Sequence, residues 1–200
     1  KDARKVTHIQ YDEMLELAAV GARVLHPRAV EIGELYGVPI RVRSSFHEGV
    51  GTMSVAQVPM EERKRVRGIA EETNVAKITV VGVPDRPGIA AAIFEPLGTA
   101  GISVDVIVQN VGHDGMTDLS FTVNRSDYAK AMKILRDQVQ PHIKCREVSG
   151  DDKIAKVSLV GPGMRPPAGF ASPTFRTLPE AGITSQLITT SAIKTSVVLD

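Results

Sequence analysis

Two stretches of this 200-residue chain repeat one another, and this repeat restricts the architectures that the chain can adopt. One copy begins at Lys77 and the other begins at Lys156. Once the loops are aligned, Ala100-Gly101-Ile102 in the first copy matches Ala181-Gly182-Ile183 in the second. Each copy has the pattern of a strand, a Pro/Gly loop, a helix closed by Gly, and two further strands. The chain therefore contains two related α+β units.

The first copy continues far enough to complete a βαββαβ unit. Ser126 is a candidate N-cap for a second helix that runs to about Gln138, and residues 143–148 predict a fourth strand. This order of elements predicts a four-stranded antiparallel sheet with two helices on one face, which is a ferredoxin-like arrangement.

The second copy has only three predicted strands, near residues 156–160, 183–190 and 193–199. A three-stranded sheet of this kind would leave an open edge. An unassigned strand candidate lies upstream, at residues 66–71. We therefore predict that residues 66–71 pair with the sheet of the second copy and not with that of the first.

The segment before the repeats predicts two helices followed by a strand. Apolar residues recur at helical spacing from about Tyr11, and Pro27 interrupts this pattern. A second short helix is predicted over about residues 28–36, and residues 40–45 predict a strand.

The composition excludes several classes of function. The 24 basic residues are balanced by 23 acidic residues, so the chain has no electrostatic footprint for nucleic acid. No apolar run approaches the about 18 residues that a membrane-spanning helix needs. The single Cys excludes an intramolecular disulfide and predicts a reducing compartment, for which we expect the cytoplasm.

Several motifs resemble those of a known enzyme family. They are Val83-Pro84-Asp85-Arg86-Pro87-Gly88, Gly163-Met164-Arg165, Thr190-Ser191-Ala192-Ile193-Lys194 and the segment YDEMLELAAVGARVLHPRAVEIGELYGVPIRVRSSF at residues 11–46. These motifs resemble the regulatory region of aspartate kinase, which carries a tandem pair of ACT domains. The resemblance implies two intertwined ferredoxin-like ACT domains, preceded by an α/β remnant of an amino-acid-kinase domain.

The resemblance also implies how the chain divides into domains. Residues 1–58 would be the C-terminal part of the kinase domain with its linker. The first ACT domain, at residues 76–150, would be inserted into a second one formed by residues 66–71 and 153–200. On this division the second ACT domain is truncated at its C-terminus.

The family implies a regulatory function for the chain. Aspartate kinase transfers the ATP γ-phosphate to the β-carboxylate of aspartate in lysine, threonine and methionine synthesis. This chain would control that reaction by binding threonine and/or lysine, as a homodimer through its ACT domains, with a catalytic kinase domain or subunit as partner. ATP and Mg would be required by the whole enzyme, and this chain would bind no cofactor of its own. The alternative is a structural dimerisation module that binds no effector.

The chain lacks the motifs that phosphate transfer requires. The loop VGVPDRPG has neither the spaced Gly nor the Lys-Ser/Thr pair of a phosphate loop. We therefore expect these residues alone to be inactive, with no catalytic residue among them. The five His residues show no metal-ligand spacing, so no metal site is predicted. Cys145 lies between two basic residues, which could lower the pKa of its thiol; the alternative is an inert strand Cys.

The loop that precedes the first predicted helix of the first copy is the strongest candidate site. The N-terminus of a helix attracts an anion, and Gly88 would let a ligand approach the backbone closely. Asp85 beside it could bind an ammonium group, so that the loop would hold an α-amino acid. The alternative is that Asp85 caps the helix.

The resemblance extends this site to a set of residues. The implied effector-binding residues are Asp85, Gly88, Ile89, Ala90, Ala91, Gln109, Asn110, Asp118, Ile183 and Thr184. Gln109 could instead be a polar strand end, and Asp118 a solvent-facing strand residue. In the second copy the equivalent loop lacks the acid, and Thr184 stands where the family usually has Asn. We therefore expect the first copy to be the stronger site.

Overall fold

The computed structural model describes residues 4–22, 24–59, 66–110, 112, 115–162 and 171–200. It divides into two compact units. Unit 1 comprises residues 1–72 and 156–199, and unit 2 comprises residues 73–155 together with Asp200. In chain order the elements are β1 (His8–Gln10), α1 (Tyr11–Ala19), α2 (Pro27–Leu35), β2 (Ile40–Val42), β3 (Thr52–Val55), β4 (Gly68–Glu72), β5 (Ala76–Pro84), α3 (Ile89–Thr99), β6 (Val104–Asn110), β7 (Met116–Val123), α4 (Tyr128–Ile134), α5 (Gln140–Ile143), β8 (Glu147–Asp151), β9 (Ala155–Val160), α6 (Ala171–Glu180), β10 (Ser185–Thr190) and β11 (Lys194–Leu199).

Unit 2 is built on a four-stranded antiparallel sheet with the order β6-β7-β5-β8. Alternate residues of β5 are buried, as expected for a strand with one face on the core. Helix α3 buries Ile89, Ile93 and Leu97, which are spaced at i, i+4 and i+8 and so lie on one helical face. The rings of Phe94 and Phe121 pack edge to face with centroids 5.1 Å apart. These contacts form the main apolar core of the unit.

Unit 1 contains a second four-stranded sheet, with the order β10-β11-β9-β4. Strand β4 lies antiparallel to β9, with Gly68 opposite Val160 and Glu72 opposite Lys156. This is the pairing that the sequence predicts for residues 66–71. In this sheet β9 lies between β11 and β4, just as β5 lies between β7 and β8 in unit 2. Strand β4 therefore occupies the place of the fourth strand that the second copy lacks.

A smaller three-stranded sheet, with the order β1-β3-β2, also belongs to unit 1. Its apolar cluster is formed by Ile9, Tyr11, Met14 and Val30, with α1 and α2 supplying three of these four side chains. Helix α2 begins after His26, whose Nδ1 accepts a hydrogen bond from the N–H of Arg28 at 3.2 Å. Pro27 thus starts the second helix.

The second helical segment of unit 2 differs from the sequence prediction. Ser126 lies in a 3₁₀ turn and is not an N-cap, and the cap positions of the turn and of α4 make no side-chain cap hydrogen bond. The segment continues beyond Gln138 through a π turn into α5, because Leu135, Val139 and Ile143 keep the i, i+4 spacing that buries them. The predicted strand at 143–148 is therefore shifted to Glu147–Asp151.

No helix in the described ranges is both long and apolar enough to cross a lipid bilayer.

Candidate functional site

The loop between β5 and α3 is a tight turn that ends on a left-handed glycine. The N–H of Asp85 donates to the carbonyl oxygen of Gly115 at 2.8 Å, and the N–H of Ile89 donates to that of Arg86 at 3.3 Å. Gly88 has φ of 86°, a conformation that side chains other than Gly rarely adopt. A Cβ at Gly88 would meet nothing within 4 Å, so the space beside this backbone is open.

The N-terminus of α3 is free to receive an anion. The first helical hydrogen bond runs from the N–H of Ala92 to the carbonyl oxygen of Gly88 at 3.0 Å. Within the described ranges, the N–H groups of Ala90 and Ala91 have no backbone acceptor. Both side chains are small and exposed, whereas Ile89 is buried in the core. Ile89 can therefore contribute to a site only through its backbone.

Asp85 is an exposed carboxylate at the start of this loop. The N-cap position of α3 belongs to Gly88, three residues further along the chain. The Asp85 carboxylate makes no hydrogen bond or ion pair with any residue in the described part of the chain. Asp85 therefore does not cap α3 in this structure, and its negative charge is available to a ligand.

The turn between β6 and β7 lies at the same end of the sheet as this loop. Pro84 of β5 pairs with Met116 of β7, and Asn110 of β6 pairs with Asp118 of β7. Only β7 separates β5 from β6, so the two strands are about 10 Å apart. Gln109 and Asn110 are both exposed. The structure thus brings Asn110 to the same end of the sheet as Asp85, with one strand between them.

Asp118 has a structural partner that the sequence did not indicate. Its Oδ1 accepts a hydrogen bond from the N–H of Gly82 at 2.8 Å. Gly82 has φ of 65° and lies where the register of β5 shifts between Val80 and Val83. The Asp118 carboxylate is exposed but stabilises this β-bulge, so its role within the sheet is more than that of a solvent-facing residue.

A groove of about 760 Å³ runs along the helical layer of unit 2, starting at Gly88. Its polar lining comes from Glu95 and Thr99 on α3 and from Gln138 and His142 on the second helical segment. Sequence reasoning did not select these residues. The signal for Gln138 and His142 was their i, i+4 spacing, which places both on one face of a helix.

Ile183 and Thr184 lie in unit 1, whereas the other predicted site residues lie in unit 2. Both are exposed and precede β10, and the N–H of Ile183 donates to the carbonyl oxygen of Leu178 at 2.9 Å. They line a mainly apolar groove of about 520 Å³ together with Phe175 and Ile188. The second-copy loop at residues 163–170, with Gly163-Met164-Arg165, lies outside the described residues.

The remaining candidate groups show no sign of reactivity. Burial raises the pKa of the Cys145 thiol, so the proposal that its basic neighbours lower that pKa is wrong. Cys145 follows α5 and lies outside any strand. In the part of the chain that the structure describes, no cluster of three or more His, Cys, Asp or Glu side chains could hold a metal ion.

Comparison with known proteins finds related domains in both units, in agreement with their folds. Two ACT domain family models match the chain, one over residues 77–140 and the other over residues 157–200. The aspartokinase of Pseudomonas aeruginosa is 48% identical over 200 residues, covering 99% of this chain and 48% of the relative. The chain therefore spans about half the length of the curated relatives it matches.

Two solved structures share both the fold and much of the sequence. A structure of aspartokinase alpha and beta subunits has 49% identity and a TM-score of 0.62, with 68% of this chain covering 88% of that one. The regulatory subunit of aspartate kinase from Thermus flavus has 36% identity and a TM-score of 0.63, with 68% of this chain covering 89% of that one. The chain belongs to the aspartokinase family and contains the ACT regulatory region of these proteins.

Proposed function

We propose that this chain controls the phosphorylation of L-aspartate by ATP, by binding threonine and/or lysine at the Asp85–Gly88 loop of the first ACT copy. It would act in the cytoplasm, within the pathway that makes lysine, threonine and methionine. Its partners would be a second copy of the chain and a catalytic kinase domain or subunit, which would bind ATP and Mg. The chain alone would not phosphorylate aspartate.

The observation that carries this proposal is the charge pattern of the loop. The exposed Asp85 carboxylate is without a partner among the described residues, and the open N-terminus of α3 follows it after three residues. An α-amino acid carries an ammonium group and a carboxylate on one carbon atom. The ammonium group would pair with Asp85, and the carboxylate would accept hydrogen bonds from the N–H groups of Ala90 and Ala91.

The loop offers charges that could bind an amino acid, and in the described part of the chain no group of three or more His, Cys, Asp or Glu side chains could hold a metal ion. Regulation would then follow from differential binding. An effector that binds one arrangement of the regulatory region more tightly shifts the equilibrium of the attached kinase, by a coupling free energy of about 1–3 kcal/mol.

Calorimetric titration of the chain with threonine, with lysine and with both together tests this proposal. We expect saturable binding of at least one of them. Alanine is the control ligand, because it has the same ammonium and carboxylate groups with a shorter side chain, and it should bind more weakly. Absence of binding by both threonine and lysine would contradict the proposal.

A dimerisation module without effector binding is the second candidate, and one observation favours it. Strands β6 and β10 each form one edge of their sheets, and each exposes an isoleucine, Ile107 at 54% and Ile188 at 45%. Exposed apolar side chains on open strand edges are suited to pairing with another chain. A chain that forms dimers but binds neither amino acid would support this second candidate.

A further inference from the structure

Helix α1 is attached to the second ACT sheet by two ion pairs, both within unit 1. Glu16 Oε2 lies 2.8 Å from Lys194 Nζ, at the start of β11. Glu13 Oε2 lies 3.3 Å from Arg67 Nε, immediately before β4. The two glutamates are three residues apart on α1 and so lie on one face of the helix. One helical face is thus bound to the first residue of β11 and to the residue that precedes β4.

The pair between Glu13 and Arg67 is almost fully buried. The Glu13 side chain is 1% exposed and the Arg67 side chain is 3% exposed. Glu13 Oε2 also accepts a hydrogen bond from the N–H of Gln10 at 3.1 Å, and the N–H of Arg67 donates to the carbonyl oxygen of Val160 on β9 at 2.7 Å. Removal of either partner would leave a buried charge, so the pair resists separation once the unit has folded.

The backbone of β4 also lies close to the Leu17 side chain of α1 and to Gly21, which follows that helix. A Cβ at Gly68 would lie 3.0 Å from Leu17 Cδ2. A Cβ at Gly21, where φ is 113°, would lie 2.3 Å from the carbonyl oxygen of Glu71. Val20 beside it packs in one apolar cluster with residues of β4 and β9. The contact therefore leaves little room for α1 to move independently of the sheet.

Chain connectivity links this contact to the first ACT copy. All four strands of the first copy, β5 to β8, lie between β4 and β9 in the chain. The connections are residues 73–75 before β5 and residues 152–154 after β8. The first copy is therefore joined covalently to β4 and to β9 by three residues on each side.

We infer that Glu13, Glu16, Arg67 and Lys194 are positioning residues that couple the second ACT sheet to α1. This inference rests on the proposed function, since it assigns effector binding to the first copy and transmission to the second. The second copy then needs no effector of its own. Its sheet relays the state of the first copy to α1 and to the remnant of the kinase domain that α1 belongs to.

Amide hydrogen exchange of the 200-residue chain, read out at α1, tests the coupling without a kinase assay. In the ligand-free chain we expect Glu16→Lys to accelerate exchange at Tyr11–Ala19 about threefold or more, because an ion pair becomes a like-charge contact. Glu13→Gln should accelerate it about tenfold or more, because Arg67 stays buried. The double variant Glu16→Lys/Lys194→Glu should return exchange to within about twofold of wild type.

Glu31→Lys is the matched control. It makes the same charge change on α2 of the same unit, where Glu31 pairs at 3.8 Å with Arg28 and both side chains are at least half exposed. It should leave exchange at α1 unchanged. If Glu16→Lys behaves like this control, or if the double variant does not restore protection, the inference is overturned.

The second part of the experiment repeats the hydrogen-exchange measurement with saturating threonine or lysine. We expect the bound amino acid to slow exchange at α1 in wild type and to have no effect there in Glu16→Lys, with calorimetry confirming that the variant still binds. Binding in wild type without any response at α1 overturns the coupling and leaves the proposed function intact. No binding in wild type overturns the proposed function, and the inference with it.

Discussion

Gly88 shows at the scale of one residue how the candidate site constrains the sequence. Its φ of 86° is required by the turn, while the space where a Cβ would lie is empty. Gly88→Ala should therefore lower stability through backbone strain alone, by about 1–2 kcal/mol. Urea denaturation followed by circular dichroism measures this change.

Gly98, inside the helix that Gly88 precedes, provides the matched comparison. It too has open space around its Cβ position, but its φ is not positive. Gly98→Ala should raise stability by about 0.5–1 kcal/mol, because Ala loses less conformational freedom than Gly in a helix. Equal effects of the two substitutions would show that the left-handed conformation of Gly88 is not needed.

The individual residues of the site differ in how far the sequence could predict them. Asp85 and Gly88 could be found because a Pro/Gly loop before a helix has a recognisable local pattern. The hydrogen bond from the N–H of Gly82 to Asp118 could not be found in this way. It depends on the β-bulge that shifts the register between β5 and β7, two strands that are distant in sequence. The raised pKa of Cys145 was also missed, because it comes from burial of the thiol, which the two basic residues beside it in the sequence do not indicate.

At the scale of the elements, α3 is held on its sheet by aromatic packing. Phe121 of β7 is fully buried and contacts the ring of Phe94 on α3. Phe121→Ala should lower stability by about 3–5 kcal/mol, because a large cavity would remain in the core. Thermal unfolding followed by calorimetry measures the loss.

Phe46 is the control for this substitution, since it is 97% exposed. Phe46→Ala should change stability by less than about 0.5 kcal/mol. A loss below about 1 kcal/mol in Phe121→Ala would contradict the packing described for unit 2.

The elements also show where sequence patterns stop being informative. The place of β4 followed from counting strands, because an open sheet edge needs a partner. The extension of the second helical segment through a π turn could not be predicted from the sequence pattern, because it depends on which residues contact the core of the folded unit. The end of a helix can be predicted from the nearby sequence only where a capping residue or a Gly terminates the helix.

At the scale of the whole molecule, we predict a homodimer in which the ACT sheets of two chains adjoin. The edge strand β6 exposes Ile107, and burying this side chain against a second chain would remove apolar surface from water. Sedimentation velocity at tens of micromolar should show a dimer, and Ile107→Lys should shift it towards the monomer. A wild-type monomer at that concentration would count against the prediction.

The central claim is that an end-product amino acid binds at the first-copy loop, and titration of Asp85→Ala with threonine and lysine tests it most directly. We expect affinity to fall at least about thirtyfold with the melting temperature unchanged, because the ligand ammonium loses its charged partner, and losing one partner of a charge pair that is desolvated on binding is typically worth ~2–5 kcal/mol. Asp152→Ala, which removes the same charge beyond the opposite end of β5, should bind like wild type. Unchanged affinity in Asp85→Ala, with a lowered melting temperature, would contradict the account.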